Sequence, residues 1–280
     1  MKNKITVILS VLCTICAISF SNISQAYTLS WDELKQINSQ KSIINNASNY
    51  WIWDYYSQLS KWYNILKPDD RLWEISKELR DYAYSLLSSK KQALKQQYQE
   101  EKTSFLNQYK ESISIKDEFP IEKCTWRYNT IDNISFANDF PTALTIAIRY
   151  RESTCAYYLP SNWNWPFQIT SKDYGTWEIN EEIFIQTIQD FIDFSKNKIE
   201  KYNNRADEEY PEITLSYTGF TYDSILNFAA LYNWGTRTWW KVEPNAPEYI
   251  FDWYSEDYSW ANRYWVIPAF LKILDRELNN

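Results

Sequence analysis

The chain has 280 residues, of which 45% are apolar, enough for one substantial core or two small ones. Its formal net charge of −7 repels phosphate groups and argues against a general nucleic-acid binder. It contains no histidine, which excludes Ser-His-Asp and Cys-His catalysis and leaves zinc without its commonest ligand. Chemistry must therefore rest on carboxylates, hydroxyls, amides or lysine, and we expect neither a cofactor nor a metal site.

Residues 1–26 have the pattern of a secretory signal peptide. Lys2 and Lys4 give a basic start, residues 5–20 are an apolar run, and residues 24–26 are Ser-Gln-Ala, typical of a cleavage site. The run is short for a membrane span; an uncleaved anchor is the alternative. Removing two lysines and no acids takes the net charge from −7 to −9. We expect a secreted or cell-envelope protein, in the periplasm or cell wall, without a stable membrane span.

Residues 27–119 predict a helical arm. Residues 27–44 are polar and are expected to be a loosely held lead-in. Residues 45–66 are aromatic with a helical pattern, and residues 71–112 carry apolar side chains at helical spacing, among them Leu79, Tyr82 and Leu86. The two segments predict a helical hairpin or coiled-coil arm, which serves as a spacer or binds a protein partner.

Residues 120–280 predict an all-α domain. Residues 115–138 are expected to form a linker, with the domain boundary near Pro120. Helices are predicted over 139–151, with Asp139 as N-cap and Pro141 in the first turn, and over 180–203, 224–232 and 262–278. Residues 213–220 are read as a short strand or extended loop. The expected architecture is four or five helices around a cleft.

Cys124 and Cys155 are the cysteines that remain after the signal peptide is removed. In an oxidising compartment we expect them to form a disulfide. It would close a loop of about thirty residues and stabilise the fold by roughly 3 kcal/mol. Two free buried thiols are the alternative.

Tryptophan and glycine are out of proportion. The chain has 15 Trp and 3 Gly, whereas average usage predicts roughly 20 glycines. Several tryptophans stand where glycine is expected: Trp163 and Trp165 lie in Asn-Trp-Asn-Trp-Pro, and Trp234 lies at a predicted helix end. We hypothesise that UGA codons read as glycine in the source organism were translated as tryptophan. A sugar-binding surface of real tryptophans is the alternative.

The best candidate for chemistry is Glu152, at the end of the predicted helix 139–151. Leu144, Ile148 and Glu152 are spaced by four, so the carboxyl lies on the stripe that faces the core. Partial desolvation there raises the pKa of a carboxyl towards a useful acid/base value. Gln168 follows after a polar loop, and Tyr232-Asn233 ends an apolar helix; both can orient a substrate.

With glycine at the Trp positions, these stretches read E-S, N-G-N-G-P-F-Q-I and A-L-Y-N-G-G. They resemble, in the same order, the Glu-Ser, Gly-x-x-Gln and Ala-x-Tyr-Asn motifs of lytic transglycosylases and goose-type lysozymes, over about residues 124–278. The resemblance implies a lysozyme-like α-domain, with peptidoglycan glycan strands as substrate. It implies one catalytic acid/base, a supporting serine and four cleft residues: Glu152, Ser153, Gln168, Tyr232, Asn233 and Tyr264.

The sequence leaves other functions open. A lysozyme-type hydrolase would need a second carboxylate to hold a water, for which Asp173 and Glu178 are available. Glu152 could instead be a helix-end carboxylate that pairs with Arg149 or Arg151. A non-catalytic wall-binding or assembly protein could keep the same fold, and a carbohydrate-binding module would need real tryptophans. As written, Trp163 and Trp165 would crowd a loop that the family keeps small.

Overall fold

The computed structural model describes residues 30–66, 71–109, 121–153, 155, 167, 169, 180–204, 212–234 and 266–279. Of these residues 84% are helical, which confirms the all-α fold class. The one β pairing in these ranges is an isolated bridge between Leu215 and Phe220, so the expected extended segment is not a strand of a sheet. No helix in the same ranges is long and apolar enough to cross a membrane. The predicted signal peptide lies outside the described residues.

The helices are numbered here in chain order. They are α1 (Trp31–Asn45), α2 (Asn49–Ile65), α3 (Arg71–Tyr109), α4 (Ile121–Cys124), α5 (Tyr128–Ala137), α6 (Thr142–Ser153), α7 (Glu181–Asn203), α8 (Tyr222–Trp234) and α9 (Ile267–Asn279). The chain packs as two compact units, one ending at Gln92 and the other beginning at Ala93. The sequence placed the boundary between residues 119 and 120, whereas this division falls inside α3.

The first unit contains a helix where the sequence predicted a loose lead-in. That prediction is wrong, because Ser30 and Glu33 form a capping box at the start of α1. The Ser30 backbone N–H donates to the Glu33 carboxylate at 2.7 Å, and the Ser30 hydroxyl accepts from the Glu33 N–H at 3.4 Å. The side chains of Ile37 and Ile44 are buried on the inner face of this helix. The polar composition of residues 30–45 is the solvated face of an amphipathic helix.

The hairpin predicted for the arm is present in the first unit as α2 and the first part of α3. Its seam is aromatic: the rings of Tyr56 and Tyr84 lie 5.5 Å apart, and those of Tyr63 and Trp73 lie 4.9 Å apart. Tyr63, late in α2, meets Trp73, early in α3, whereas the earlier Tyr56 meets the later Tyr84. The two helices therefore run antiparallel. Helix α1 joins α3 through an ion pair between Lys41 and Glu78 at 2.6 Å.

In the second unit, much of the segment predicted as a linker is core. Residues 121–124 and 128–137 form α4 and α5, and Ile131 and Ile134 are completely buried. The prediction of a linker over this part is therefore wrong. Asparagine and aspartate in the segment suggested turns, but the Asp132 carboxylate is buried and accepts from the Thr142 hydroxyl at 2.8 Å. A buried polar side chain with a partner is compatible with a helix interior.

Helix α6 is the most enclosed element of the second unit, since every side chain from Thr142 to Arg149 is buried. Helices α4, α5 and α9 pack against it, and α7 contacts α5 and α8. The helix begins after Pro141, so the prediction of Asp139 as its N-cap is wrong. Asp139 has a left-handed backbone (φ 49°), and its carboxylate accepts from the Tyr217 N–H at 2.9 Å. By contrast, the helix predicted over 180–203 is present as α7; Asn180 is its N-cap and accepts from the Ile183 N–H.

The last part of α3, residues 93–109, belongs to this second unit. The Phe105 ring meets those of Phe220 and Phe270 edge-on at 5.3 and 5.4 Å. Lys102 forms an ion pair with Glu277 of α9 at 2.6 Å, with both side chains 4% exposed. The tyrosine hydroxyls of α3 and α5, at Tyr98 and Tyr128, donate to the same carboxylate.

Candidate active site

Helix α6 carries Glu152 in its last turn, at the edge of the core. Only 9% of the Glu152 side chain is exposed, because the four-residue spacing from Leu144 and Ile148 continues the buried stripe. Ser153 ends the helix, and its hydroxyl donates to the Arg149 carbonyl at 3.0 Å. The serine therefore closes the last turn of the helix that holds the carboxyl.

Burial dominates the electrostatics of Glu152 and raises its pKa above the ordinary value. Two cations oppose this effect: Arg151 beside it on α6 and Lys198 on α7. The Arg151 Nε lies 3.8 Å from the nearer Glu152 oxygen, longer than a hydrogen bond. The helix-end contact with Arg151 thus exists, but it does not offset the desolvation. The result is a buried carboxyl that keeps its proton to a higher pH than an exposed glutamate.

A disulfide fixes the chain just beyond Glu152. Cys124, the last residue of α4, is bonded to Cys155, with their Cα atoms 5.0 Å apart. This is the pair that the sequence predicts. Cys155 has a left-handed backbone (φ 57°), which turns the chain away from the direction of α6. The end of the helix is therefore held from both sides, by its own core face and by the covalent link to α4.

Tyr232 joins the end of α8 to the segment that precedes Gln168. Its side chain is buried, and its hydroxyl donates to the backbone carbonyl of Phe167. The Phe167 ring stacks on Phe191 of α7 at a centroid distance of 4.3 Å. Two motifs separated by more than sixty residues are thus in direct contact. In these contacts Tyr232 acts as an anchor for the Phe167 backbone.

The other predicted site residues are described only in part or not at all. The backbone of Asn233 belongs to α8, while its side chain lies outside the described part of the chain. Also outside the described residues are Gln168, Tyr264, the candidate second carboxylates Asp173 and Glu178, and the tryptophans of the polar loop, Trp163 and Trp165.

The sequence reasoning missed Lys198. Its ammonium donates to the carbonyls of Tyr232 at 3.0 Å and Leu231 at 3.3 Å, and Glu152 acts on it electrostatically. The signal was present, because Lys198 lies seven residues after Phe191, on the buried stripe of α7. A lysine at such a position needs a polar partner, and its hydrogen-bond partners are carbonyls of α8.

The arrangement provides a largely buried carboxyl, two nearby cations and a connected framework. Glu152 interacts with Lys198, Lys198 binds the Tyr232 carbonyl, and the Tyr232 hydroxyl binds Phe167. Across the described ranges, no group of three or more acidic or cysteine side chains is arranged to hold a metal ion. Acid/base chemistry at Glu152 is what these groups can perform.

Comparison with known proteins gives no relative: no protein-family model, no curated protein and no solved structure matches the chain.

Proposed function

We propose that the chain is a secreted lytic transglycosylase that cleaves the bond between N-acetylmuramic acid and N-acetylglucosamine in peptidoglycan. The observation that carries the proposal is the link between the three stretches: Tyr232 binds the Phe167 carbonyl, and Lys198, which binds the Tyr232 carbonyl, also acts electrostatically on Glu152. A carboxyl that is 9% exposed and has a raised pKa lies in one connected framework with Tyr232 and Phe167. These residues belong to the three stretches whose order resembles that family's motifs.

The chemistry follows from the properties of Glu152. Its protonated carboxyl donates to the glycosidic oxygen as the bond between that oxygen and C1 of the muramic sugar breaks. The resulting carboxylate then takes the proton of the muramic 6-hydroxyl while O6 bonds to C1. The products are a free N-acetylglucosamine 4-hydroxyl and a 1,6-anhydro end, and the carboxyl is protonated again. A raised pKa suits the first step because the group must begin as the acid.

Two basic groups near Glu152 suit a carboxyl that acts first as an acid and then as a base, while Asp173 and Glu178, the candidate second carboxylates for hydrolysis, lie outside the described residues. Hydrolysis with inversion or retention uses a second carboxylate, as a base for water or as a nucleophile. In the ranges that the structure describes, the charged groups that act on Glu152 are Arg151 and Lys198, both basic. Cations stabilise the carboxylate formed after proton donation, which is the base that the second step needs.

The test uses the mature chain and purified peptidoglycan sacculi. We expect Glu152→Gln to lower the release of soluble muropeptides by roughly a hundredfold or more. Glu200→Gln is the matched control, since Glu200 lies exposed on α7. Unchanged release by E152Q would rule out catalysis by this carboxyl, and no release by the wild type would favour a binding or assembly protein. Products lighter by one water than the hydrolysed muropeptide identify a transglycosylase, and products of the full mass identify a hydrolase.

A further inference from the structure

Lys198 caps the end of helix α8. Its ammonium donates to the carbonyls of Leu231 and Tyr232, at 3.3 and 3.0 Å. Helix α8 ends at Trp234, so both carbonyls lie in its last turn, where a donor from outside the helix can bind them. A cation at this end also interacts favourably with the helix dipole. The ammonium lies over the rings of Phe194 and Tyr232, at 4.6 and 5.4 Å from their centroids.

The same ammonium is close enough to Glu152 for the two charges to attract each other. Attraction between the two charges lowers the pKa of Glu152 and raises that of Lys198, while burial acts the other way on each. Burial is the larger effect for both, and it lowers the pKa of Lys198 to about 8. Arg151 on α6 is the other described charge that acts on Glu152. Lys198 is therefore the cation of α7 that acts on the Glu152 carboxyl.

We propose that Lys198 is a positioning residue of the Glu152 site, which holds the end of α8 and places a positive charge opposite the carboxylate left by proton donation. The first role fixes Tyr232, and through its hydroxyl the Phe167 segment. The second role matters because a carboxylate with 9% exposure has little water to stabilise it. The inference deepens the proposed function and rests on it, but the electrostatic part can be measured without substrate.

The decisive measurement is a carboxyl titration of Glu152 by NMR in the full chain labelled with ¹³C-glutamate, assigned with E152Q. In Lys198→Gln the side chain can still donate to the α8 carbonyls but has no charge. We expect the Glu152 midpoint to move to higher pH in K198Q and to stay near wild type in Lys198→Arg. Lys201→Gln is the control, because Lys201 lies exposed on the same helix. An unmoved midpoint in folded K198Q would overturn the proposal.

A measurement on the unmodified protein covers the case in which K198Q does not fold. Burial lowers the pKa of Lys198 to about 8, and the Glu152 carboxyl signal should show a second, smaller step as the ammonium loses its proton. Absence of that step in the wild type would refute the interaction.

Activity gives the second readout. We expect kcat on sacculi to fall at least roughly tenfold in K198Q. The alkaline limb of its pH profile should move upward, and K198R should restore most of the rate. A purely structural residue would change stability without moving the pH profile. If the carboxyl titration shifts as expected but the wild type releases no muropeptides, the proposed function fails while the electrostatic role of Lys198 stands.

Discussion

Replacing Lys102 by methionine tests how the buried ion pair with Glu277 supports the second unit. Methionine keeps most of the apolar stem, so the main change is the loss of a cation 2.6 Å from a carboxylate, where both side chains are 4% exposed. Burial already raises the pKa of Glu277, and Lys102 is the strongest influence in the opposite direction, followed by the Tyr128 hydroxyl, while Asp132 raises it further. In K102M the Glu277 carboxyl must therefore remain protonated to a still higher pH.

Proton linkage gives the sign and size of the stability change expected for K102M. Consider a carboxyl that stays protonated in the folded state but ionises in the unfolded state. Above the pKa of that carboxyl in the unfolded chain, the free energy of unfolding falls by about 1.4 kcal/mol per pH unit. Wild type shows the same trend more weakly, because Lys102 stabilises the ionised form. We expect K102M to cost little at pH 5 and about 3 kcal/mol at pH 7, within the range measured for broken buried pairs.

The assay is urea unfolding at several pH values, followed by a pulse of hydrogen–deuterium exchange at one fixed pH. Peptides from residues 93–109 and 267–279 report on the second unit. The control is Lys41→Met, which breaks a pair of the same 2.6 Å length in the first unit, with side chains 24% and 49% exposed. Exposed pairs contribute about 1 kcal/mol or less. If K102M costs no more than K41M, or if its cost does not grow with pH, the reasoning is wrong.

Replacing both cysteines by serine (C124S/C155S) should lower the free energy of unfolding by roughly 3 kcal/mol, since the bond closes a loop with a sequence separation of 31; an unchanged urea midpoint would contradict this. Ser30→Ala removes the N-cap of α1 and should cost about 1 kcal/mol, seen as faster amide exchange in that helix, and equal exchange would argue against the cap. The recoding hypothesis predicts that the gene has UGA codons at positions 163 and 165 and that peptides of the natural protein have masses that correspond to glycine there. UGG codons at Trp163 and Trp165 would refute it.

The sequence predicted helices well where apolar side chains repeat at helical spacing. The apolar pattern of residues 180–203 predicted α7, whose N-cap is Asn180. Residues 30–45 and 121–138 were misjudged because polar side chains there outweighed the apolar periodicity. In both regions the polar groups have partners inside the fold, as Glu33 has with Ser30 and Asp132 with Thr142.

By itself the sequence determined the helical class, the pairing expected of Cys124 with Cys155, and the place of Glu152 on a core-facing stripe. Each follows from local spacing or from elimination. Only the tertiary structure decided that Lys198 acts electrostatically on Glu152 and that Lys102 pairs with Glu277. These partners are far apart in the chain, and a lysine has the same local pattern whether its ammonium meets water or a buried carboxylate. Packing decides this, because it sets how much water each charge retains.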